Sequence, residues 1–224
     1  MERKVIITAD GSSTIYLPEW DENYHSKHGA IQEAYHVFIT HGLNRLFEQG
    51  YKHIAILEIG FGTGLNALIT SIEAEKQNRS IDYYGVEAYP VIVEDVAKLN
   101  YIAELKAENS KRLFETMHQL PWEETHQLLP SFTLTKQKKF FADIQDKEAF
   151  DIIYFDAFGA RVQPELWTEA IFQNMYDALI PNGILVTYSA KGSVRRAMQA
   201  VGFSVEKLPG PPGKREMLRA TKRL

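Results

Sequence analysis

Leu57-Glu58-Ile59-Gly60-Phe61-Gly62-Thr63-Gly64-Leu65-Asn66 decides how this chain folds. The apolar run His53 to Ile59 is too short for a globular helix and rich in isoleucine, so it reads as a buried parallel strand. Three alternating glycines follow, and Leu65 opens a helical pattern through Leu68, Ile69 and Ile72. Glycine permits a tight turn and lets a ligand lie against bare main chain. The spacing is not the G-x-G-x-x-G of dinucleotide folds.

Ile81 to Val86 reads as the next strand, and Glu87 ends it. An acid about 20–30 positions after a glycine loop is where a carboxylate grips a ribose diol. The alternative role for Glu87 is to cap the helix starting near Pro90. Asp151 to Asp156 is another short apolar strand ending in an acid. In open parallel sheets ligands bind beyond the carboxyl ends of the strands, so Asp156 is expected in one crevice with Glu58 and Glu87.

Outward from this centre, Lys4 to Tyr16 reads as a hairpin turning at Asp10-Gly11. Glu19 to Ala30 reads as a polar and aromatic loop able to lie over a pocket. Residues 30–47 carry the apolar spacing of a helix closed by Gly50. A helix is expected to start at Tyr89-Pro90 and run through Leu105, with a helical insertion near 107–131. Ser131 to Phe141 reads as a hairpin or one long strand, and Asp143 follows it. Glu165 to Leu179 is a helix, Pro181-Asn182-Gly183 a turn, Gly183 to Ser189 a strand and Gly192 to Ala200 a helix. Ser204 to Leu208 and Glu216 to Ala220 form a last, antiparallel pair.

The 224 residues, 45% of them hydrophobic, suit one globular domain over 1–224. Within it, 1–50 is an N-terminal extension and 51–224 the core. No apolar run approaches ~18 residues, so no membrane span is expected, and the N-terminus does not read as a signal peptide. The absence of cysteine fits a reducing, cytoplasmic setting, and the seven histidines show no metal-ligand spacing. The net charge of −4 hides an asymmetry. Tyr188 to Leu224 carries nine basic and two acidic residues, +7, and the remainder carries −11. Such a segment faces a polyanion or is a solvated basic face.

Glu58 to Asn66 resembles motif I of class I S-adenosylmethionine methyltransferases. Asp10 to Thr14, Tyr24-His25-Ser26, His28-Gly29-Ala30, Glu33, His36 to Ile39, Val86 to Pro90, Ala142-Asp143-Ile144, Phe155 to Phe158, Pro164 to Trp167, Gly202-Phe203 and Lys214 to Leu218 extend it. Together these motifs resemble the methyltransferase domain of the bacterial MnmC-type tRNA wobble-uridine modification enzymes, over nearly the whole chain. The resemblance implies a Rossmann-like fold: a mostly parallel seven-stranded sheet with an antiparallel edge strand. It implies N-methylation of the 5-aminomethyl group of wobble (2-thio)uridine in tRNA, with S-adenosyl-L-methionine consumed and neither FAD nor metal. It also implies the stand-alone form, without the flavin oxidase that many members carry, so that another enzyme supplies the aminomethyl substrate. Gly60, Gly62, Gly64 and Asn66 would hold the donor, Glu58 would face its ammonium, Glu87 its ribose and Asp143 its adenine amino group. A loop-capping Asp143 is the alternative. Many relatives read Asp-Gly-Phe-Ala-Pro where this chain has Asp156-Ala157-Phe158-Gly159-Ala160-Arg161, which leaves loop shape and the contacts of Arg161 open.

Methyl transfer from a sulfonium to an amine needs alignment more than activation. Asp156 is expected to hold the amine and orient its lone pair rather than act as a strong base, since an ordinary Asp near ~3.9 accepts a proton poorly from an alkylammonium. Phe158 either stacks on the uracil or packs. His25 is a lid residue over the substrate or a structural one, and His28 likewise. Lys191, Arg195, Arg196, Lys214 and Arg215 are the candidate tRNA contacts. Two other readings share the fold: a small-molecule methyl or aminopropyl transferase, and an inert RNA-binding partner. The intact Glu58, Gly60, Gly62, Gly64, Glu87 and Asp156 favour an enzyme.

Overall fold

The structure, a computed structural model, describes residues 2–223. Three short antiparallel strands come first: β1 (Lys4–Ile7), β2 (Ser13–Leu17) and β3 (Glu22–Asn23). The hairpin turns at Asp10-Gly11 as read, with Lys4 opposite Tyr16. The Asp10 carboxylate closes it by accepting from Ser12 N at 3.0 Å and Thr8 Oγ1 at 2.7 Å. β3 lies within the stretch expected to be loop.

A continuous helix over 30–48 follows: α1 (Ala30–Ala34), a π-helical stretch (Tyr35–Leu43) and α2 (Asn44–Glu48). The wide middle was not legible in the apolar spacing. β4 (His53–Ile59) has the bounds read from the sequence, and α3 (Leu65–Lys76) starts directly after Gly64. β5 (Ser80–Val86) comes next.

The helix expected through Leu105 is broken into α4 (Val93–Val96) and α5 (Tyr101–Glu104). Asn100 breaks it. Its backbone N–H donates to Ser13 Oγ at 2.9 Å, its amide donates to the Gly11 carbonyl at 2.9 Å, and it accepts from Ser13 N at 2.7 Å. These bonds to the N-terminal hairpin outweigh helix continuation. The insertion is half helix and half strand: α6 (Lys111–Gln119), then β6 (Thr125–Leu129) in a hairpin with β7 (Phe132–Gln137).

The remaining elements are β8 (Phe150–Phe155), α7 (Glu169–Ala178), β9 (Leu179–Thr187), α8 (Gly192–Ala200), β10 (Phe203–Pro209) and β11 (Glu216–Lys222). A 3₁₀ turn, Pro164–Trp167, precedes α7, and the Thr168 hydroxyl caps that helix. The turn expected at Pro181-Asn182-Gly183 is instead a bulge inside β9, where Asn182 has φ 66°.

The main sheet has eight strands in the order β10-β11-β9-β8-β4-β5-β7-β6. Seven were expected; β6 is the extra one. The five central strands are parallel, while β6 and β11 each run antiparallel to their inner neighbours. Strand alternation sends Ile54 and Ile56 to one core, with the 30–48 helix, α3, α5 and α6. Leu57 and Ile59 face the other core, with α7 and α8. Both faces are thus covered, as parallel strands require. The chain leaves β4 for β5 on one side and later fills β8 and β9 on the other, so the switch point lies beside β4. Among the described residues no helix is long and apolar enough to cross a membrane.

Candidate active site

A cavity of about 850 Å³ opens at that switch point, beyond the carboxyl ends of β4, β5 and β8. This volume lies within the ~300–1,000 Å³ typical of small-molecule sites. The glycine turn forms one wall. Gly60, Gly62 and Gly64 have φ of 90°, 50° and 72°, values that disfavour any side chain. A Cβ on Gly60 would also lie 2.8 Å from the Asp156 carbonyl oxygen. The turn is pinned by Gly60 and Phe61 N–H groups donating to the Val86 carbonyl, each at 3.0 Å.

Glu58, Asn66 and Asp156 meet on the cavity wall. The Asn66 amide nitrogen donates to Glu58 Oε1 at 2.9 Å and to Asp156 Oδ2 at 2.9 Å. Tyr83 OH donates to Glu58 Oε2 at 2.8 Å. Glu58 is 1% exposed and both its oxygens are already bonded within the protein. Glu58 holds Asn66, and Asn66 holds Asp156, while Glu58 stays in the cavity wall with a lone pair left on each oxygen. Asn66 Oδ1 is buried with no hydrogen-bond partner among the described residues.

Burial pushes the Glu58 carboxyl well above its ordinary range, the Asp156 and Glu87 carboxylates push the same way, and the bonds from Asn66 and Tyr83 oppose them. Burial, with the Glu33 carboxylate, pushes Asp156 up to about 7 against the opposing pull of Asn66 and Lys214. Asp156 is thus not the ordinary carboxylate assumed from sequence. Glu87 is raised by burial as well. Its Oε2 accepts from Gly62 N at 3.1 Å and its Oε1 from Tyr89 N at 2.9 Å, so it stands against the glycine turn and in the cavity wall. Clustered buried carboxylates and an unsatisfied carbonyl oxygen fit a ligand carrying positive charge and N–H donors.

Phe158 and His25 also line the cavity. Phe158 meets Trp20 and Tyr24 edge to face, with ring centroids 5.6 and 5.0 Å apart. His25 is fixed: its Nδ1 lies 3.1 Å from Thr14 Oγ1 and its Nε2 3.4 Å from Thr63 Oγ1. Burial pushes its ring down to about 4, so it is neutral near pH 7. Asp143 stands apart. It is exposed on the 3₁₀ turn Phe141–Asp143 and outside the cavity wall, to which Phe141 and Ala142 contribute instead.

The basic residues divide. Lys191, Arg195, Arg196 and Arg215 lie outside the cavity wall, and among the described residues none of them pairs with an acid. Lys214 differs from these: it pairs with the buried Glu33 and lies 3.7 Å from the centre of the Tyr188 ring. Its charge also pulls on the Asp156 carboxyl, while its side chain stays 31% exposed. Lys207 and Arg219 pair with Glu216 and Glu206, the acids already counted in the +7, while Lys222 pairs with Glu148 outside the segment, as Lys214 does with Glu33.

Sequence reasoning placed Trp20 and Tyr24 no more closely than in a loop able to lie over a pocket, gave Thr63 no role of its own, and missed Tyr83 and His118. Tyr83 had a signal, since strand alternation sends residues 83 and 85 to one face and Gly85 pairs with Glu58. His118 had none: its Nε2 reaches the Thr63 carbonyl at 3.1 Å from the distant α6.

Comparison with known proteins gives the family. The family described as S-adenosyl-L-methionine-dependent methyltransferase matches residues 100–223. The tRNA 5-methylaminomethyl-2-thiouridine biosynthesis bifunctional protein MnmC of Aromatoleum aromaticum is 35% identical over 216 residues, 89% of this chain and 32% of that protein. MnmC of Cupriavidus metallidurans is 31% identical over 95% of this chain and 33% of its own length. The chain thus spans about a third of the length of these curated relatives. The crystal structure of MnmC2 from Aquifex aeolicus shares the fold, with a TM-score of 0.80 at 24% identity over 99% of this chain and 70% of that one. Spermidine synthase from Thermotoga maritima is a more distant likeness of fold, with a TM-score of 0.54 at 13% identity over 94% of this chain and 69% of that one. With a match over more than half its length, this chain belongs to the S-adenosyl-L-methionine-dependent methyltransferases.

Proposed function

We propose that this chain methylates the primary amine of 5-aminomethyl-(2-thio)uridine at the wobble position of tRNA, giving the 5-methylaminomethyl nucleoside. The observation that carries the reading is the Asn66 amide held between Glu58 and Asp156 at the cavity wall. Asn66 occupies Asp156 Oδ2, and Oδ1 accepts no hydrogen bond among the described residues, so it is free to take one from an amine. The substrate class comes from the relatives, whose name is that of 5-methylaminomethyl-2-thiouridine biosynthesis.

When bound, S-adenosyl-L-methionine supplies a methyl group already activated on a sulfonium. Gly60, Gly62 and Gly64 offer it bare main chain, Glu87 a carboxylate beside that turn, and Asn66 Oδ1 a buried acceptor. Asp156, raised to about 7, holds the amine and accepts its proton near neutral pH far better than an ordinary Asp. Phe158 gives the base an aromatic surface. Lys191, Arg195, Arg196 and Arg215 are the phosphate contacts that fix the RNA without reading its sequence.

Incubation with methyl-labelled S-adenosyl-L-methionine tests this. Label should enter tRNA whose wobble uridine carries the aminomethyl group and not tRNA with unmodified uridine there. Equal labelling of both, or of neither, would overturn the proposal.

A further inference from the structure

Trp20 sits in the turn between β2 and β3, far in sequence from the carboxylates, yet it lines the same cavity as Asp156 and Phe158. Its ring stands nearly perpendicular to Phe158, at 88°. Two aromatic walls at a right angle let an inserted pyrimidine stack on one and meet the edge of the other.

Both walls are fixed. Arg161 Nη2 donates to the Trp20 and Asp21 carbonyl oxygens at 3.2 and 2.8 Å and to Glu22 Oε2 at 2.8 Å. One guanidinium on the loop after Asp156 thereby holds the backbone that carries Trp20. On the other side, Trp167 Nε1 donates to the Phe158 carbonyl at 2.8 Å and Tyr188 OH to the Ala157 carbonyl at 2.8 Å. Arg161 is 57% exposed, so the bonds contribute little to global stability. What they do is set the position of Trp20 against Phe158 before any ligand arrives, which is how a binding constellation is preorganised.

We propose that Trp20 is the second base-contacting wall of the substrate slot and that Arg161 is its positioning residue. The N-terminal extension thereby completes a site whose reacting groups lie in the core. This inference rests on the functional reading above. It also gives Arg161 a role in the loop whose sequence departs from that of many relatives.

The test uses the whole chain and an anticodon stem-loop RNA bearing 5-aminomethyl-uridine at the wobble position. Trp20→Ala should raise KM for the RNA by roughly five- to 100-fold, the size of one lost base–aromatic stack. Trp20→Phe should recover most of that, and S-adenosyl-L-methionine affinity, read by calorimetry, should stay within about twofold. Arg161→Ala should move KM the same way by less, and Arg161→Lys should not rescue it, because all three bonds come from Nη2 and a lysine side chain ends one atom short of that position. Thermal melts separate a merely structural Trp20, which would lower Tm and weaken both ligands together. An active wild type whose Trp20→Ala variant keeps its RNA KM, or loses donor and RNA affinity in parallel, overturns the inference alone. A wild type that methylates no such RNA overturns the functional reading, and the inference with it.

Discussion

Asp156→Asn should make the protein more stable at pH 8 while disabling it. The folded chain raises the Asp156 carboxyl from its ordinary 3.8 to about 7, chiefly by burial. A folded acid with a raised pKa binds its proton more tightly than the unfolded chain does. Its contribution to stability is therefore fully present below about 3.8 and is lost as pH rises toward 7. At about 1.4 kcal/mol for each tenfold step in proton affinity, the full loss has a ceiling of about 4 kcal/mol. Of this, about 2–3 kcal/mol falls between pH 5 and pH 8. Asparagine keeps an oxygen to accept from Asn66 but never ionises, so it escapes the loss. Urea unfolding of wild type and variant at both pH values is the assay. The stability difference, variant minus wild type, should grow by about 2–3 kcal/mol from pH 5 to pH 8. A difference that is flat, or that shrinks, would refute the account of Asp156. In the same variant kcat should fall far more than donor affinity; an equal fall would make Asp156 a donor ligand instead.

Glu87→Ala should weaken donor binding by about 1–3 kcal/mol in calorimetry, through the lost carboxylate and the loosened Gly62 N–H; unchanged affinity would leave Glu87 as a turn cap. Gly85→Ala should cost about 1–3 kcal/mol in urea unfolding, because its Cβ would lie 2.3 Å from Phe61 Cδ2 inside the glycine turn; a neutral substitution would mean that Phe61 shifts freely. Replacing Arg195 and Arg196 together with Ala should raise KM for tRNA and flatten its salt dependence, with donor affinity unchanged. An unaltered salt slope would mean that the RNA is held elsewhere.

Local patterns were legible where one strong rule governed. The isoleucine-rich run gave β4 its bounds, and the helix read over Gly192 to Ala200 is α8. The approach of Glu58, Glu87 and Asp156 followed from topology alone, because parallel strands end on one side of the sheet. What was not legible came from partners distant in the chain. Asn100 breaks a periodic helix through bonds to Ser13 and Gly11, some 87 to 89 residues away. β6 is a polar edge strand, so no alternation betrays it, and Gln127 pairs with Thr133 only once β7 is in place. The resemblance implied Asp143 as the adenine contact, yet it is exposed on the 3₁₀ turn whose Phe141 and Ala142 line the cavity instead. The structural part played by Glu58 was hidden for the same reason: Tyr83 and Asn66 reach its oxygens from other elements.

The central claim is that the methyl group ends on the amine of the wobble nucleoside. Nucleoside mass spectrometry of tRNA digested after incubation with the chain and S-adenosyl-L-methionine tests it most directly. The account predicts loss of 5-aminomethyl-(2-thio)uridine and matching gain of its N-methyl product, abolished in Asp156→Asn. Methyl found on another nucleoside, or on the ribose or ring of the wobble uridine, would contradict it.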